Sequence, residues 1–387
     1  MRCSRIHAGF NPEIHTIWKE AFSRVPPYWI SFLEATTRRI VINPLCPYLL
    51  SLILWLGCLP AARAQPHRPA HPPEPLLTQE AKEAVEKGLR FLLDRQFPDG
   101  SYSRDCRDAH SHPGIAALAG MAFLATGSTP VRGPHREAVN RITGYLLKVS
   151  DSRTGLITDT IVQGEPMYAH TFATLYLAEI CGEDPRPEVH AAVKRGTGLI
   201  LLAQRPGGGW RYRISGRDAD VSVTSCAVMA LRGARSAGIR VPPEAIRNAV
   251  GYILSCARPD GTFQYQAEGG HATFQLTAAA LTALFGVGVR EGAEVETGLQ
   301  AMAAYRVDRG FKIIGHFFYG HYYAIQAAYQ ARGEYFRTWY RPLRDKLIRD
   351  QEKDGRWRKS TVGDVYATAM AVLILAIPYH HLPIFVR

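Results

Sequence analysis

From Leu76 onward, two kinds of segment alternate along the chain. In the first, Leu and Ile recur three and four residues apart while Lys, Arg and Glu take the opposite face: Glu80–Asp94, Arg136–Lys148, Glu188–Ala203, Pro243–Ser255, Glu291–Tyr305 and Thr338–Asp350. That spacing predicts amphipathic helices with one wet side. In the second, almost every position is small or apolar: Gly114–Ala125, His170–Ile180, Val223–Ala234, Thr273–Phe285, Tyr322–Ala331 and Val365–Ile377. Helices that are apolar all round must be buried. Wet helices outside and dry helices inside, in six pairs, predict an all-α fold, an (α/α)6 toroid whose inner barrel opens at one end. An open solenoid of the same pairs is the alternative, and the lack of a polar capping repeat favours closure.

The junctions repeat as well. Each wet helix passes to the next dry one through a turn glycine: Gly100, Gly155, Gly208, Gly261, Gly310 and Gly355, spaced by 55, 53, 53, 49 and 45 residues. So regular a period indicates one helix pair per repeat. Gln96, Gln204 and Gln351 close the preceding helix, and Trp210, Phe263 and Trp357 follow the glycine by two residues. The copies at Gly155 and Gly310 are degenerate. Glycine supplies the left-handed backbone of a tight turn, and the aromatic brings apolar surface back onto the helix ends. The clearest copy, Gln204-Arg-Pro-Gly-Gly-Gly-Trp-Arg-Tyr212, follows a helix and carries a Trp. A phosphate loop would follow a strand and carry Lys-Ser/Thr. The stretch therefore reads as a clasp between outer and inner helices.

Upstream the pattern changes. Residues 48–59 form an apolar core ahead of Ala62-Arg-Ala64, which reads as a secretory signal cleaved after Ala64, with residues 1–64 as the leader. The core is short for a bilayer span; an uncleaved anchor through residues 40–60 is the alternative. The expected location is periplasmic or extracellular, or membrane-anchored through the leader. Residues 65–75 are a Pro-rich linker, and residues 76–387 form a single toroid domain. Cys106, Cys181, Cys226 and Cys256 lie beyond the leader, none in a C-x-x-C, and the apolar settings of Cys226 and Cys181 predict buried free thiols. Of the net charge of +12, seven Lys or Arg and three Glu belong to residues 1–64. The rest is scattered over helix faces, as in Lys82, Lys87, Arg90 and Arg95, and no stripe alternates base with aromatic. Nucleic acid is not an expected partner.

The Gln…Asp-Gly-x-Trp turns resemble the QW repeats of the squalene cyclase and protein prenyltransferase α/α-toroid superfamily, over Leu76 to Arg387. Gly208-Gly-Trp210-Arg-Tyr212, with Asp220-Val-Ser-Val-Thr224 and Ala227-Val-Met-Ala-Leu231, is especially close. Tyr322-Tyr-Ala-Ile-Gln326, Gly363-Asp-Val-Tyr-Ala-Thr-Ala-Met370 and Leu382-Pro-Ile-Phe385 are similar to an exported single-toroid branch, the prenyltransferase and squalene oxidase repeat proteins of planctomycete-like bacteria. The resemblance implies the toroid and an isoprenoid or other hydrophobic ligand in its inner barrel, without implying an activity. A squalene-hopene cyclase protonates an alkene with an Asp-x-Asp-Asp cluster at the head of an inner helix. Here that place reads Asp218-Ala-Asp220-Val-Ser222-Val223. Counting from Asp220, Ser222 and Val223 replace the other acids; counting from Asp218, Val221 takes the last position. Prenyltransferases hold zinc with Asp, Cys and His, and their Asp-x-Cys pair is missing here, leaving His321 alone. No metal or other cofactor is expected, and no catalytic motif is intact.

Polar residues nevertheless gather at the heads of the dry helices. His112, Tyr168, His170, Glu268, His271, His321, Tyr322 and Asp364 are candidate ligand-binding residues, with His110 and Tyr366 beside them, and Asp218 and Asp220 are candidate catalytic acids. Helix capping by Asp220 and Asp364, together with satisfied core histidines, explains the same residues without a ligand. Phe317, Phe318, Tyr319, Tyr322 and Tyr323 form an isoprenoid-accepting wall or a packing layer between helices. Three function classes follow: an exported toroid binding a hydrophobic or isoprenoid molecule, a diverged terpene cyclase or other toroid enzyme using Asp218 and Asp220, and a scaffold for a protein or polymer.

Overall fold

The structure, a computed structural model, describes residues 75–103, 111–159, 164–305, 316–331, 333–358 and 360–385. The expected leader and cleavage site after Ala64, most of the expected linker, Cys106, His110 and the turn at Gly310 lie outside the described residues. Within the compact unit Pro72–Arg387, odd-numbered helices lie outside and even-numbered ones inside. The pairs are α1 (Gln79–Asp94) with α2 (Pro113–Ala125), α3 (Arg136–Lys148) with α4 (Met167–Ile180), and α5 (Pro187–Leu202) with α6 (Val221–Ser236). They continue as α7 (Pro243–Ser255) with α8 (Phe274–Gly286), α9 (Ala293–Ala304) with α10 (Phe317–Ala331), and α11 (Glu334–Asp350) with α12 (Asp364–Ala376). Most bounds agree with the sequence periodicity. Helix α10 starts earlier than expected because the run Phe317-Phe-Tyr319 is apolar throughout and carries no start signal.

Each inner helix packs against the inner helices before and after it, and α12 packs against α2. The ring is therefore closed, and the open solenoid is ruled out. Every residue of α2 is buried, as its uniformly apolar sequence requires. Small residues let neighbours approach: a Cβ on Gly120 would stand 2.4 Å from the ring of Tyr176 on α4.

The repeated turn is a clasp built from three kinds of bond. The Gln amide reaches across to the next outer helix: Gln96 Nε2 donates to Ala138 O at 3.0 Å, Gln204 to Ala245 O at 2.8 Å, and Gln351 to Ala84 O at 2.8 Å. The last of these joins the sixth pair to the first. The Trp indole ties back to the outer helix it follows, Trp210 Nε1 to Ile200 O at 2.7 Å and Trp357 Nε1 to Leu347 O at 2.8 Å. The backbone N–H of the same residue donates to a threonine of the inner helix: Trp210 to Thr224 Oγ1 at 2.9 Å, Phe263 to Thr277 at 3.0 Å, and Trp357 to Thr368 at 3.1 Å. Buried polar groups are thus satisfied where outer and inner layers meet.

One local departure from the all-α expectation lies between Phe263 and α8. There β1 (Gln264–Gln266) and β2 (Gly269–Ala272) pair antiparallel, with Gln264 opposite Ala272 and Gln266 opposite Gly269. Two 3-10 turns, Ile377–Tyr379 and Pro383–Phe385, follow α12. Cys181, Cys226 and Cys256 are free thiols, the last two buried. Among the described residues, no helix is long and apolar enough to cross a membrane.

Candidate functional site

All inner helices begin at the same end of the ring, and there a cavity of about 380 Å³ opens among the heads of α4, α6, α8 and α10. Tyr168, Ser222, Thr273, Gln275, Leu276 and Tyr319 come from these helix heads, and His316 from just before α10. Tyr212 comes from the clasp, and Tyr265, Gly270 and His271 from the hairpin. The lining is mainly apolar. Below it the barrel is filled: the Tyr319 and Tyr323 rings lie 4.9 Å apart, Tyr323 and Tyr322 lie 5.0 Å apart, and Cys226 Sγ sits 3.0 Å from the Tyr323 hydroxyl. Burial pushes the Cys226 thiol up to about 12 and the Tyr168 and Tyr319 phenols well above their usual range. These groups stay neutral at physiological pH, so the site can offer hydroxyl donors without charge.

Charge lies behind one wall. Asp220 is fully buried and caps α6: its Oδ1 accepts from the Val223 N–H at 2.9 Å and from the Ser222 hydroxyl. Its second oxygen lies 3.6 Å from Arg211 Nη1, while Arg211 Nε lies 3.2 Å from the exposed Asp218. The Arg211 guanidinium sits between the rings of Tyr212, at 5.2 Å, and Tyr265, at 5.1 Å. The hydroxyls of those two tyrosines are 2.6 Å apart. Burial raises the Asp220 carboxyl above the usual carboxylate range, opposed by the Ser222 hydroxyl, the Val223 N–H and Arg211. The Asp220 carboxylate reaches the cavity through Ser222, the lining residue that bonds it.

The loop that delivers these residues is organised by Arg205. Its guanidinium is buried and donates to the backbone oxygens of Ala203, Arg213, Ile214, Ser215 and Asp218 at 2.6–3.2 Å. No sequence motif marks Arg205, since it bonds backbone atoms that only the folded loop brings to one point.

The candidate residues from the sequence distribute unevenly. Tyr168 and His271 line the cavity, and Asp218 and Asp220 share Arg211 beside it. Glu268 is exposed in the hairpin turn. His170 is built into the wall: its Nδ1 accepts the Ile157 N–H at 3.1 Å and its Nε2 donates to Gly196 O at 3.1 Å. Burial lowers its pKa to about 4. His321 lies in an aromatic cage, with Trp339 Nε1 donating to its Nδ1 at 3.3 Å and rings of Phe274 and Phe317 at 5.2 and 4.6 Å. Burial, with the charge of Lys346, lowers it to about 3. Tyr322 is buried in the barrel filling, Asp364 pairs with Arg356 at 3.1 Å, and His112 precedes α2 with its backbone N–H on Tyr102 O. Of the five aromatics read as a ligand wall, Tyr319 lines the cavity. Among the described residues, no three His, Cys, Asp or Glu side chains form a metal-holding group. The sequence reading passed over Arg211, Tyr265 and His316 as site residues. The Arg-Tyr following Trp210, the only clasp Trp so followed, was the available signal.

No family model matches the chain, and no curated protein matches it in sequence. Solved structures do match it in fold. The type II terpene cyclase MstE from Scytonema, in complex with geranylgeranyl dihydroxybenzoate, superposes with a TM-score of 0.55 at 13% identity, covering 78% of this chain and 98% of that one. A protein from Actinoplanes gives 0.55 at 17% identity, over 76% and 98%. An α-1,6-mannanase, GH76A of Salegentibacter sp. HEL1_6, gives 0.59 at 9% identity, over 77% and 98%. At such identities the likeness carries the fold alone. The chain has the α/α-toroid fold that these structures share.

Proposed function

We propose that the mouth cavity binds a hydrophobic small molecule, of isoprenoid type, with its polar end toward Arg211 and Ser222. The supporting observation is the cavity itself: tyrosine and leucine walls over a filled barrel, with the buried Asp220 and the half-buried Arg211 paired at the edge. Apolar pockets with a few convergent polar groups are the usual form of small-molecule sites. The MstE structures hold an isoprenoid substrate or product in the same fold, which agrees with this choice of ligand class. The proposal also makes the protein an exported one, supported by the apolar core at residues 48–59 and the Ala62-Arg-Ala64 site.

A second reading makes the toroid an enzyme with Asp220 as proton donor, favoured by the raised pKa of that buried carboxyl. Asp218, the other candidate acid, is exposed and paired with Arg211, which leaves Asp220 without the backing carboxylates that protonating an alkene demands, so binding is preferred. The test is lipid extraction and mass spectrometry of protein purified from its native host, alongside the Leu276→Trp variant, which narrows the cavity. A co-purifying isoprenoid lost in the variant is the expected result. Absence of any isoprenoid from the unaltered protein would sink the proposal. A product chemically changed from an added isoprenoid, and abolished by Asp220→Asn, would replace it with the enzyme reading.

A further inference from the structure

The other end of the ring, where the inner helices terminate, carries a larger cavity of about 590 Å³. Arg232 and Arg235 from the last turns of α6, Arg290 from beyond α8, and His381 from the closing segment stand on its wall. No carboxylate is among the described residues that line it. Cations near a helix C-terminus offset the negative end of the helix dipole, which accounts for Arg235 in the last turn of α6. Arg232 and Arg290 need another explanation. Arg232 is half-buried, with Nη1 donating to Ile384 O at 2.6 Å. Arg290 is held by Gln330, whose Oε1 accepts from both of its terminal nitrogens at 3.2 and 3.3 Å. Burial lowers the pKa of Arg232, the Glu179 carboxylate opposes this, and the charges of Arg290 and Arg235 lower it further. The three guanidiniums thus line one cavity, the charges of Arg235 and Arg290 act on Arg232, and protein bonds hold Arg232 and Arg290 in place.

Like charges held at an open cavity, with no carboxylate among its described lining residues, favour an oxyanion that bridges them. We propose that this cavity binds a phosphate-type oxyanion, with Arg232, Arg235 and Arg290 as its ligands. The ion belongs either to a soluble diphosphate or to the headgroup of an anionic phospholipid. This site is separate from the mouth cavity and does not depend on its ligand.

The test pairs calorimetric titration of the full chain with inorganic pyrophosphate and cosedimentation with phosphatidylglycerol vesicles. The comparison protein is the double variant Arg235→Glu, Arg290→Glu, which leaves the Arg232–Ile384 bond in place. At least about a tenfold loss of affinity is expected in the variant, with its circular dichroism spectrum unchanged. Pyrophosphate binding lost in the variant identifies the soluble source; vesicle binding lost in the variant, without pyrophosphate binding, identifies the headgroup. Binding of neither probe, or binding indifferent to the charge reversal, overturns the proposal.

Discussion

At Gly208 and at Gly155 the chain makes the same turn with different side chains. Both glycines are left-handed, with φ of 95° and 77°, and both lie against the next outer helix: an added Cβ would stand 2.2 Å from Asn248 O at one and 2.5 Å from Arg195 O at the other. At Gly208 the Gln204 amide bridges to that helix. At Gly155 the corresponding Asp151 closes only its own loop, its Oδ1 accepting the N–H groups of Arg153 and Thr154 at 2.8 Å. Trp210 donates its N–H to Thr224, whereas Ile157 donates to His170. The close approach of backbones makes the glycine indispensable, while several side chains can meet the same hydrogen-bonding need. The comparison also gives His170 its role, as the wall residue standing where other repeats use threonine.

The largest effect should come from the glycines. Gly208→Ala and Gly155→Ala each force a Cβ into a carbonyl at positive φ, and each should destabilise by about 3 kcal/mol or more in urea unfolding. Tolerance of Gly155→Ala alone would separate the two turns and break the comparison. Next, Trp210→Ala should lose about 3–5 kcal/mol and Ile157→Ala about 2–4 kcal/mol, measured in the same way.

His170→Ala follows, leaving Ile157 N–H and Gly196 O without their partner, at a cost of about 1–3 kcal/mol. His170→Thr should recover part of this, since a hydroxyl meets the first group and is too short for the second. The histidine also imposes a pH signature. Its folded pKa, about 4, lies below the ordinary 6.5, so the unfolded chain binds the proton first. Stability is complete above pH 6.5 and declines as pH falls toward 4, by on the order of 3 kcal/mol from His170, with a parallel share from His321. Denaturant midpoints measured across that window should fall less steeply in His170→Thr; an unchanged slope would contradict the buried neutral histidine. The smallest effect is Tyr212→Phe, which removes the bond to Tyr265 and should change stability by about 0.5–1.5 kcal/mol.

Much of the fold was legible in the sequence because it rests on local spacing. The period of three and four that marks α1 and α3, the uniform apolarity of α2 and α12, and the recurring turn glycines are each visible within a few dozen residues. The hairpin at Gln264–Ala272 was not legible, as its half-buried polar residues show no clean alternation. The candidate site was legible only in part. Asp218, Asp220, Tyr168 and His271 were picked out from helix heads, yet the same rule also picked His170 and His321, whose environments are enclosed by protein. A helix head in sequence does not say whether a side chain meets the cavity or the layer between helices.

By itself, then, the sequence determined six helix pairs, their wet and dry faces and the glycine clasps, because each depends on neighbours along the chain. Tertiary structure alone decided that α12 meets α2, that Tyr319 and Tyr323 fill the barrel, and that Arg211 lies between Tyr212 and Tyr265. It also decided that Arg232 and Arg290, from different repeats, share one cavity. These are contacts between side chains far apart in sequence, set by how closely packed helices approach one another, and no local period encodes them.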